Sequence, residues 1–405
     1  MTEHEPMPKH SDKNTQDFWP IDSPNSFIII FLVALVVRLI NLFMSDFSPD
    51  AMLLEDAAMY WTNATNGQTF LDKAYLAIFS QTERMPGYLL FLAAIVSIFG
   101  ENFLSVLVIQ SIIDSFTCVL ISMLGYHVYP KHCGIFGWLA AVWPNLFLHS
   151  GMILGDSLFL CFFVLFLLMF TGFLHKPTTL AALATGALLG LTTLVRPTTQ
   201  FIILLAPAVL PIILMISKMK VREVIFNSFI IFVAAVVCVA PLLIKNVAKY
   251  DSFALTSQNG THLQGWVASE VVMLRDGVGR EEAVTMLQTK TSEALSKLSP
   301  NQQINPFVRS AQQVDTALYE IAATPKHIIA KSWMQGAIIN LAAPALLIDK
   351  RIRQLPHISF AEDTRGDLIA RTGQFISGSS PIYVLTLVAS AVGAIFVSSM
   401  QLVGF

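Results

Sequence analysis

Residues 27–44 read FIIIFLVALVVRLINLFM, an apolar run with a single charge at Arg38. A helix needs about 20 largely apolar residues to cross the hydrocarbon core of a bilayer. The run is therefore predicted to be a membrane span, which makes the chain an integral membrane protein. The polar residues 1–26 lack the basic segment and the small-residue cleavage site of a secretory signal, so we expect a cytosolic tail.

The composition of the whole chain agrees with this prediction. Of 405 residues, 54% are hydrophobic and 13% are charged, and the mean hydropathy is +0.63. Soluble domains carry about 25% charged residues, so an ordinary cytosolic enzyme is excluded. The formal net charge of −2 argues against nucleic acid as a partner, because it offers phosphates no general attraction. The four cysteines lie in or beside apolar runs and are expected to be small core side chains.

Further apolar runs predict an all-α, polytopic membrane fold with about nine transmembrane helices. Besides 27–44, the predicted spans lie near residues 104–126, 134–150, 155–174, 178–195, 199–217, 224–244, 330–348 and 380–403. The predicted domains are a transmembrane core at 27–244 that includes a long loop at 45–103, a helical loop at 245–329, and a C-terminal membrane segment at 330–405.

The apolar piece at residues 86–100 determines the topology. It is short for a span, so we favour an interfacial helix over a crossing. The short basic segments around Lys218 and around Lys350, Arg351 and Arg353 then fall on the side of the N-terminus, which the positive-inside rule makes cytosolic. Both long loops lie on the other side. We expect a multi-pass protein of a bacterial inner (plasma) membrane whose functional site faces the periplasm or exterior.

Charged side chains are costly at the membrane boundary, so those at the outer span ends are candidate functional residues. Two carboxylates, Asp56 and Asp156, and three cations, Arg84, Arg196 and Lys245, collect there. Each also has a structural interpretation, because a carboxylate can start a helix and a cation can anchor a span at the headgroups. Together they suit a reaction in which a phosphate leaves and a hydroxyl attacks, with cations or a metal stabilising the phosphate and a carboxylate taking the proton. The spans would hold an isoprenoid tail.

Five short motifs occur in order between residues 27 and 265. They are Asp56-x-x-x-Tyr60, Glu83-Arg84-x-Pro86-x-Tyr88, Leu154-Gly155-Asp156-Ser157, Leu194-Val195-Arg196-Pro197 and Pro241-x-x-x-Lys245-Asn246. This pattern resembles the GT-C membrane glycosyltransferases, and most closely the protein O-mannosyltransferase and lipid A aminoarabinose transferase type. The resemblance implies interfacial helices in the first outer loop, a polyprenyl-phosphate-linked sugar as donor, a lipid, glycan or protein as acceptor, and inverting transfer on the non-cytosolic face.

The resemblance also implies roles for single residues. Asp56 would be the catalytic base, Asp156 a second acidic residue near the donor phosphate or a metal, and Arg84 and Arg196 phosphate contacts. Where many relatives read Asp-Glu, this chain reads Glu55-Asp56, so Glu55 is a second candidate base. Lys245 replaces the usual Arg and loses its bidentate phosphate geometry. The remaining candidate supporting residues are Tyr60, Glu83, Tyr88, His149 and Asn246, and the candidate cofactor is a divalent metal ion held by Asp56 and Asp156.

Two other functional classes stay open. A carrier or flippase for a lipid-linked sugar predicts an internal repeat and broken helices, for which Pro207, Pro211 and Pro241 are candidates. A non-catalytic assembly subunit predicts that the outer carboxylates and arginines do not converge. The loop at 245–329 is expected to form helices at 281–298 and 308–323 and either to contact the acceptor or to act as a structural cap.

Overall fold

A computed structural model describes residues 24–53, 56–127, 129–130, 133–342, 349–360 and 363–404. Within these ranges the chain is helical and contains no strand, which confirms the all-α prediction. The tail predicted at 1–26 falls almost entirely outside the described residues.

The helices fall into two halves of the chain. The first half contains α1 (Pro24–Phe43), α2 (Pro49–Met52), α3 (Asp56–Thr65), α4 (Phe70–Tyr75), α5 (Pro86–Phe99), α6 (Phe103–Tyr126), α7 (Cys133–Val142), α8 (Pro144–Ser150), α9 (Asp156–His175), α10 (Thr179–Val195), α11 (Gln200–Ile216) and α12 (Val221–Tyr250). The second half contains α13 (Gln258–His262), α14 (Ser269–Asp276), α15 (Arg280–Ser296), α16 (Pro300–Gln303), α17 (Pro306–Ala322), α18 (Lys326–Ala342), α19 (Lys350–Arg353), α20 (Leu368–Gly378) and α21 (Pro381–Gly404). Turns of π-helix, Leu76–Ser80 and Leu263–Ala268, follow α4 and α13, and a 3-10 turn, Pro197–Thr199, precedes α11.

Six of these helices, counted over the described ranges, are long and apolar enough to cross a membrane. They are α1, α6, α9, α11 with its 3-10 turn, α12 and α21. The apolar helices α5, α7 and α10 are shorter. The chain is therefore a multi-pass membrane protein, with six helices of spanning length where the sequence predicts nine spans.

Helix α1 shows how one apolar run serves two environments. Ile30, Ala34 and Arg38 follow each other at intervals of four residues and are fully buried against the other helices. Leu32, Val36 and Ile40 have the same spacing on the opposite face and are exposed. An exposed apolar stripe of this kind is stable when lipid, and not water, covers it.

A glycine allows a close helix contact in the bundle. A Cβ on Gly186 of α10 would lie 2.3 Å from the carbonyl oxygen of Ile231 in α12, so no larger residue fits without a shift. Such close backbone approach supplies van der Waals packing where lipid removes the hydrophobic driving force between helices. Helix α12 continues unbroken through Pro241, and α11 continues through Pro207 and Pro211, so these prolines do not break helices.

The span predicted at 134–150 is two helices. Helix α7 ends at Val142, and Trp143 adopts an extended conformation before Pro144 starts α8. A residue before proline is disfavoured in the helical region, and proline fits the first turn of the next helix, so the sequence explains the break. The single-span prediction is therefore wrong in this region.

Helix α5 does not cross the bundle. Its 14 residues rise about 21 Å, which is too short for the hydrocarbon core. Most of its apolar side chains are buried against α3, α4, α6 and α10. Phe103, which begins α6 a few residues after α5 ends, contacts Trp61 of α3 with 4.4 Å between the ring centroids. Both ends of α5 thus lie near the short helices α3 and α4. This is expected of a helix that begins and ends on the same side of the bundle.

The bundle has two chemically different ends. The ion-pair end, defined by Asp56, Arg84, Asp156 and Arg196, carries α2 to α4 and the charged contacts described below. The basic end, defined by Lys218, Lys220 and Arg222, carries the short connection between α11 and α12. Because the intervening turns of α12 rise 1.5 Å per residue, Arg222 lies about 35 Å from Lys245, which is at the ion-pair end.

Helices α13 to α17 form a separate apolar cluster around Ala268, Val272, Leu287 and Ala317. Glu320 of α17 is buried there and accepts hydrogen bonds from Lys290 and from Arg275, the latter at 2.8 Å. Burial opposes the ionisation of Glu320, but these hydrogen bonds outweigh it and hold its pKa below the ordinary value. The predicted helices at 281–298 and 308–323 correspond to α15 and α17.

The span predicted at 330–348 disagrees with the contacts of the described residues on both sides of it, which lie at the ion-pair end. Residues 343–348 of this prediction lie outside the described residues. Lys331 Nζ lies 3.9 Å from Asp367 Oδ2, close to the point where Arg371 donates to Glu270 of α14 at 2.7 Å. On the other side of the predicted span, Arg351 donates to Asn41 Oδ1 in the last turn of α1 at 3.1 Å.

The same contacts correct the predicted topology. The basic segment Lys350, Arg351 and Arg353 lies at the ion-pair end, and not with Lys218 as expected. Hydropathy averages count residue types along the chain and contain no information on such long-range contacts.

Candidate functional site

The first ion pair of the site joins Arg84 to Asp56. Asp56 is the first residue of α3, where the positive end of the helix dipole favours a carboxylate. Arg84 lies in the turn before α5, and its guanidinium also approaches the Tyr60 ring to 5.9 Å from the centroid. Arg84 is largely buried, whereas about half of Asp56 is exposed. The pair therefore joins a largely buried guanidinium to a carboxylate that solvent can reach.

A second ion pair joins Arg196 to Asp156, with 2.9 Å between Nη1 and Oδ1. Asp156 is the first residue of α9, where the positive end of the helix dipole favours a carboxylate, and the N-cap residue before it is Gly155. Arg196 follows α10 in extended conformation and approaches the Phe159 ring to 6.0 Å. Both partners are partly exposed.

Gly87 brings the two ion pairs together. A Cβ at this position would lie 2.6 Å from the carbonyl oxygen of Leu194 and 3.0 Å from the amide nitrogen of Val195. The backbone that follows Arg84 therefore lies directly against the backbone that precedes Arg196. The close approach needs the absence of a side chain, which is the reason for glycine here.

Tyr60 lies between the two ion pairs. Burial raises the pKa of its phenol, and the charges of Arg84, Asp56, Arg196 and Asp156 all act on it with partly cancelling effects. Its ring meets Tyr88 edge-to-face, with 4.9 Å between centroids. All four charged side chains thus lie close enough to act on one phenol, so two pairs from distant parts of the sequence belong to one site.

Tyr88 connects this site to the protein interior. Its hydroxyl donates to Gln110 Oε1 at 2.7 Å, and Gln110 Nε2 donates to the Met152 carbonyl oxygen at 2.7 Å. The chain of hydrogen bonds fixes the turn that leads to Asp156. Sequence reasoning did not identify Gln110, although a glutamine inside the apolar run 104–126 is the kind of residue that needs a buried partner.

Lys245 contacts the polypeptide backbone near Arg84. Its Nζ donates to the Gln81 carbonyl oxygen at 2.8 Å, and Ser257 N donates to the Thr82 carbonyl oxygen at 2.8 Å. The next residue, Asn246, is buried and donates to the Ala254 carbonyl oxygen at 2.7 Å. These two candidates hold the segment before Arg84 and the connection after α12.

No protein-family model matches this chain, and no curated protein matches it either. Its functional assignment therefore rests on the geometry of the site.

The remaining predicted site residues lie as follows. Glu83 is exposed beside Arg84. His149 lies on α8 with its Nδ1 2.5 Å from the Asn145 carbonyl oxygen. Glu55, the second candidate base, lies outside the described residues.

The donor set does not fit a protein-held metal ion. Asp56 and Asp156 are each paired with an arginine, which already supplies the positive charge that a metal would bring. Groups of three or more metal-ligating side chains are absent from the described part of the chain. The arrangement suits an anion at the two guanidiniums, each of which has five N–H donors. The Nε of Arg84 is buried and has no hydrogen-bond partner among the described residues.

A third arginine–aspartate pair lies inside the bundle and was missed by sequence reasoning. Arg38 Nε lies 2.6 Å from Asp114 Oδ2, and both side chains are almost completely buried. Arg38 also donates to the carbonyl oxygens of Ala34 and Ala141, each at 3.0 Å. Asp114 is a lone acid in an apolar run, which is a recognisable signal that Arg38 has a partner.

Proposed function

We propose that this protein transfers a sugar from a polyprenyl-phosphate donor to an acceptor hydroxyl at the ion-pair end. The observation that carries the proposal is the pair of arginine–aspartate contacts around Tyr60. The exposed guanidinium of Arg196 and the largely buried one of Arg84 offer forks for a phosphate, and apolar helix faces beside them offer a surface for an isoprenoid chain. The order of motifs that resembles GT-C glycosyltransferases supports the same function.

The first step of the proposed mechanism is an exchange of partners. The donor phosphate takes the place of a carboxylate at Arg84 and Arg196, since both anions accept the same bidentate hydrogen bonds. The exchange releases Asp56 from Arg84, so its carboxylate becomes available to a hydroxyl proton. In the absence of donor the ion pairs keep the charges of the site balanced.

The second step is transfer. The acceptor oxygen attacks the anomeric carbon, the bond from that carbon to the phosphate oxygen breaks, and the electron pair stays with the polyprenyl phosphate. Asp56 takes the proton of the acceptor hydroxyl. The site thereby loses one negative charge at Asp56 as the phosphate gains one, and the two arginines stabilise the product. Attack opposite to the leaving group gives inversion.

The proposed orientation follows from charge. The short connections at the basic end carry Lys176, Lys218, Lys220 and Arg222. Positive charge in short loops favours the cytosolic side. The basic segment around Arg351 belongs to a long extramembrane stretch, to which the rule does not apply. The ion-pair end then faces the periplasm or exterior of a bacterial inner membrane.

Transport of a lipid-linked sugar is the alternative that one observation favours. The break between α7 and α8 lies beside the buried Arg38–Asp114 pair, as a broken helix in a carrier would. However, both side chains of this pair are buried to 1% exposure or less, so the pair does not line an aqueous path.

The test is donor consumption by the purified full-length protein in the presence of lipid, glycan and peptide acceptors. We expect labelled polyprenyl-phosphate sugar to be converted to polyprenyl phosphate and a glycosylated acceptor, and Asp56→Asn to lower the rate about 10²- to 10⁴-fold. Asp50→Asn removes an exposed charge from the same loop and is the matched control, with an unchanged rate. A folded Asp56→Asn protein with wild-type turnover would remove Asp56 from its role. Failure of the wild type to consume any such donor would refute the transferase.

A further inference from the structure

A cavity of about 160 Å³ lies beside the ion-pair site, between the end of α1 and helix α19. Its polar lining is supplied by Asn41, Ser45, Asp46, Asp349, Arg351 and Gln354. Met44, Leu148 and Met152 add apolar surface. A dry cavity of about 150 Å³ holds a six-membered carbon ring, so this space corresponds to one ring of that size.

The polar groups of the cavity are held in place. Arg351 is paired with Asp349 through two nitrogens, Nε at 2.9 Å from Oδ1 and Nη2 at 2.5 Å from Oδ2. Nη2 also donates to Asn41 Oδ1 at 3.1 Å. The carboxylate of Asp46 accepts from the backbone nitrogen and hydroxyl of Ser48 at 2.8 and 2.9 Å. Fixed side chains of this kind recognise a ligand without paying for their own ordering.

The cavity adjoins the proposed reaction centre. Its wall contains Gly151 and Met152, and four residues later the same turn carries Asp156. An extended chain of four residues spans at most about 14 Å, so cavity and ion pair are no further apart than this along the turn. The Met152 carbonyl is also held by Gln110, which binds Tyr88 in the site.

The charge of the cavity selects the class of ligand. The lining contains two carboxylates and one guanidinium, and that guanidinium is already engaged by Asp349. The balance disfavours an anion such as phosphate. Carboxylate, amide and guanidinium groups together bind neighbouring hydroxyl groups, which both donate and accept. Methionine and leucine side chains pack against the C–H face of a ring.

We infer that this cavity binds a neutral sugar ring, and that the acceptor of the reaction is a glycan with one ring seated here and its next ring at Asp56 and Asp156. The role of the bound sugar as acceptor rests on the proposed transferase function. The binding of a sugar in the cavity does not. A protein or a phosphate-bearing lipid as acceptor would leave the cavity unused.

The test uses the full-length protein in lipid nanodiscs, because maltoside detergents carry a neutral sugar. Saturation-transfer NMR with neutral hexose and N-acetylhexosamine oligosaccharides measures binding. We expect Arg351→Gln and Asp46→Asn each to weaken it about ten- to a hundredfold, since each removes a hydrogen bond to a charged group. Arg353→Gln makes the same charge change on the same helix, outside the cavity lining, and should leave binding unchanged.

The outcomes are separable. Neutral sugar binding that depends on both Arg351 and Asp46 supports the inference, even if no donor is consumed and the proposed function fails. Donor consumption without sugar binding, or binding insensitive to both variants, overturns it. Binding of inorganic phosphate that depends on Arg351 overturns it as well. Asp46→Asn preserves side-chain shape, so this variant keeps the test valid if Arg351→Gln does not fold.

Discussion

The Arg38–Asp114 pair provides the sharpest prediction about stability. Asp114→Asn keeps the shape of the side chain but leaves the buried guanidinium without a counter-charge. Because Arg38 is 0% and Asp114 1% exposed, water cannot compensate. Removal of one partner from a buried pair costs about 3–5 kcal/mol, and we expect the free energy of unfolding to fall by that amount. Arg38→Met should cost a similar amount, because it leaves the carboxylate without a counter-charge.

The double variant Arg38→Met/Asp114→Asn is the decisive measurement. It contains no uncompensated charge. Its loss of unfolding free energy should therefore be smaller, by about 2 kcal/mol, than the sum of the losses of the two single variants. Unfolding in mixed micelles of increasing dodecyl sulfate content, monitored by tryptophan fluorescence, gives the unfolding free energies of the two single variants and the double variant. Arg222→Met at the exposed basic end is the control, with a change below about 0.5 kcal/mol. Additive single losses, or an Asp114→Asn loss under about 1 kcal/mol, would refute this reasoning.

Two further predictions concern the site and the helical cluster. Gly87→Ala should lower stability by about 1–3 kcal/mol and reduce donor consumption together, because its Cβ would lie 2.6 Å from the Leu194 oxygen. Gly336→Ala, whose Cβ meets no atom within 4 Å, should lower neither quantity in the same two assays. Glu320 has a lowered pKa, so its contribution is present above its unfolded value of about 4.5 and is lost as pH falls through the lower folded value. The protection of α15 and α17 against hydrogen exchange, taken relative to the intrinsic exchange rate at each pH, should therefore fall in acid. Glu320→Gln should lower this protection already at pH 7, and equal protection in the two proteins at pH 7 would contradict the assignment.

The sequence predicts the local properties of the fold well. A run such as 27–44 identifies a span because its length and hydrophobicity are properties of the run alone. Pro144 likewise predicts the end of α7, because the residue before a proline disfavours the helical conformation. The span predicted at 330–348 disagrees with the structure because long-range contacts, and not local properties, decide where its two sides lie. Lys331 and Arg351 are held at the ion-pair end by Asp367 and Asn41, which are distant in the sequence.

The candidate site shows the same limit. Charges at span ends can be read from the sequence, and the positions of Asp56, Arg84, Asp156 and Arg196 follow from it. Their pairing does not, because it depends on the approach of Gly87 to the backbone at Leu194. The cavity beside Arg351 could not be predicted from the sequence for the same reason, since its walls come from distant parts of the chain.

Burial decides what each arginine–aspartate pair can do. All use the same two side chains, yet a guanidinium inside the bundle cannot exchange its carboxylate for another anion, because any intermediate would leave a desolvated charge. Arg38 and Asp114 therefore hold helices together. Each pair at the ion-pair end has one well-exposed member, Asp56 at 51% and Arg196 at 44%, so water can solvate that member while an incoming phosphate rearranges the pair. The proposed chemistry belongs to the ion-pair end for this reason, and a buried pair of identical composition would not support it.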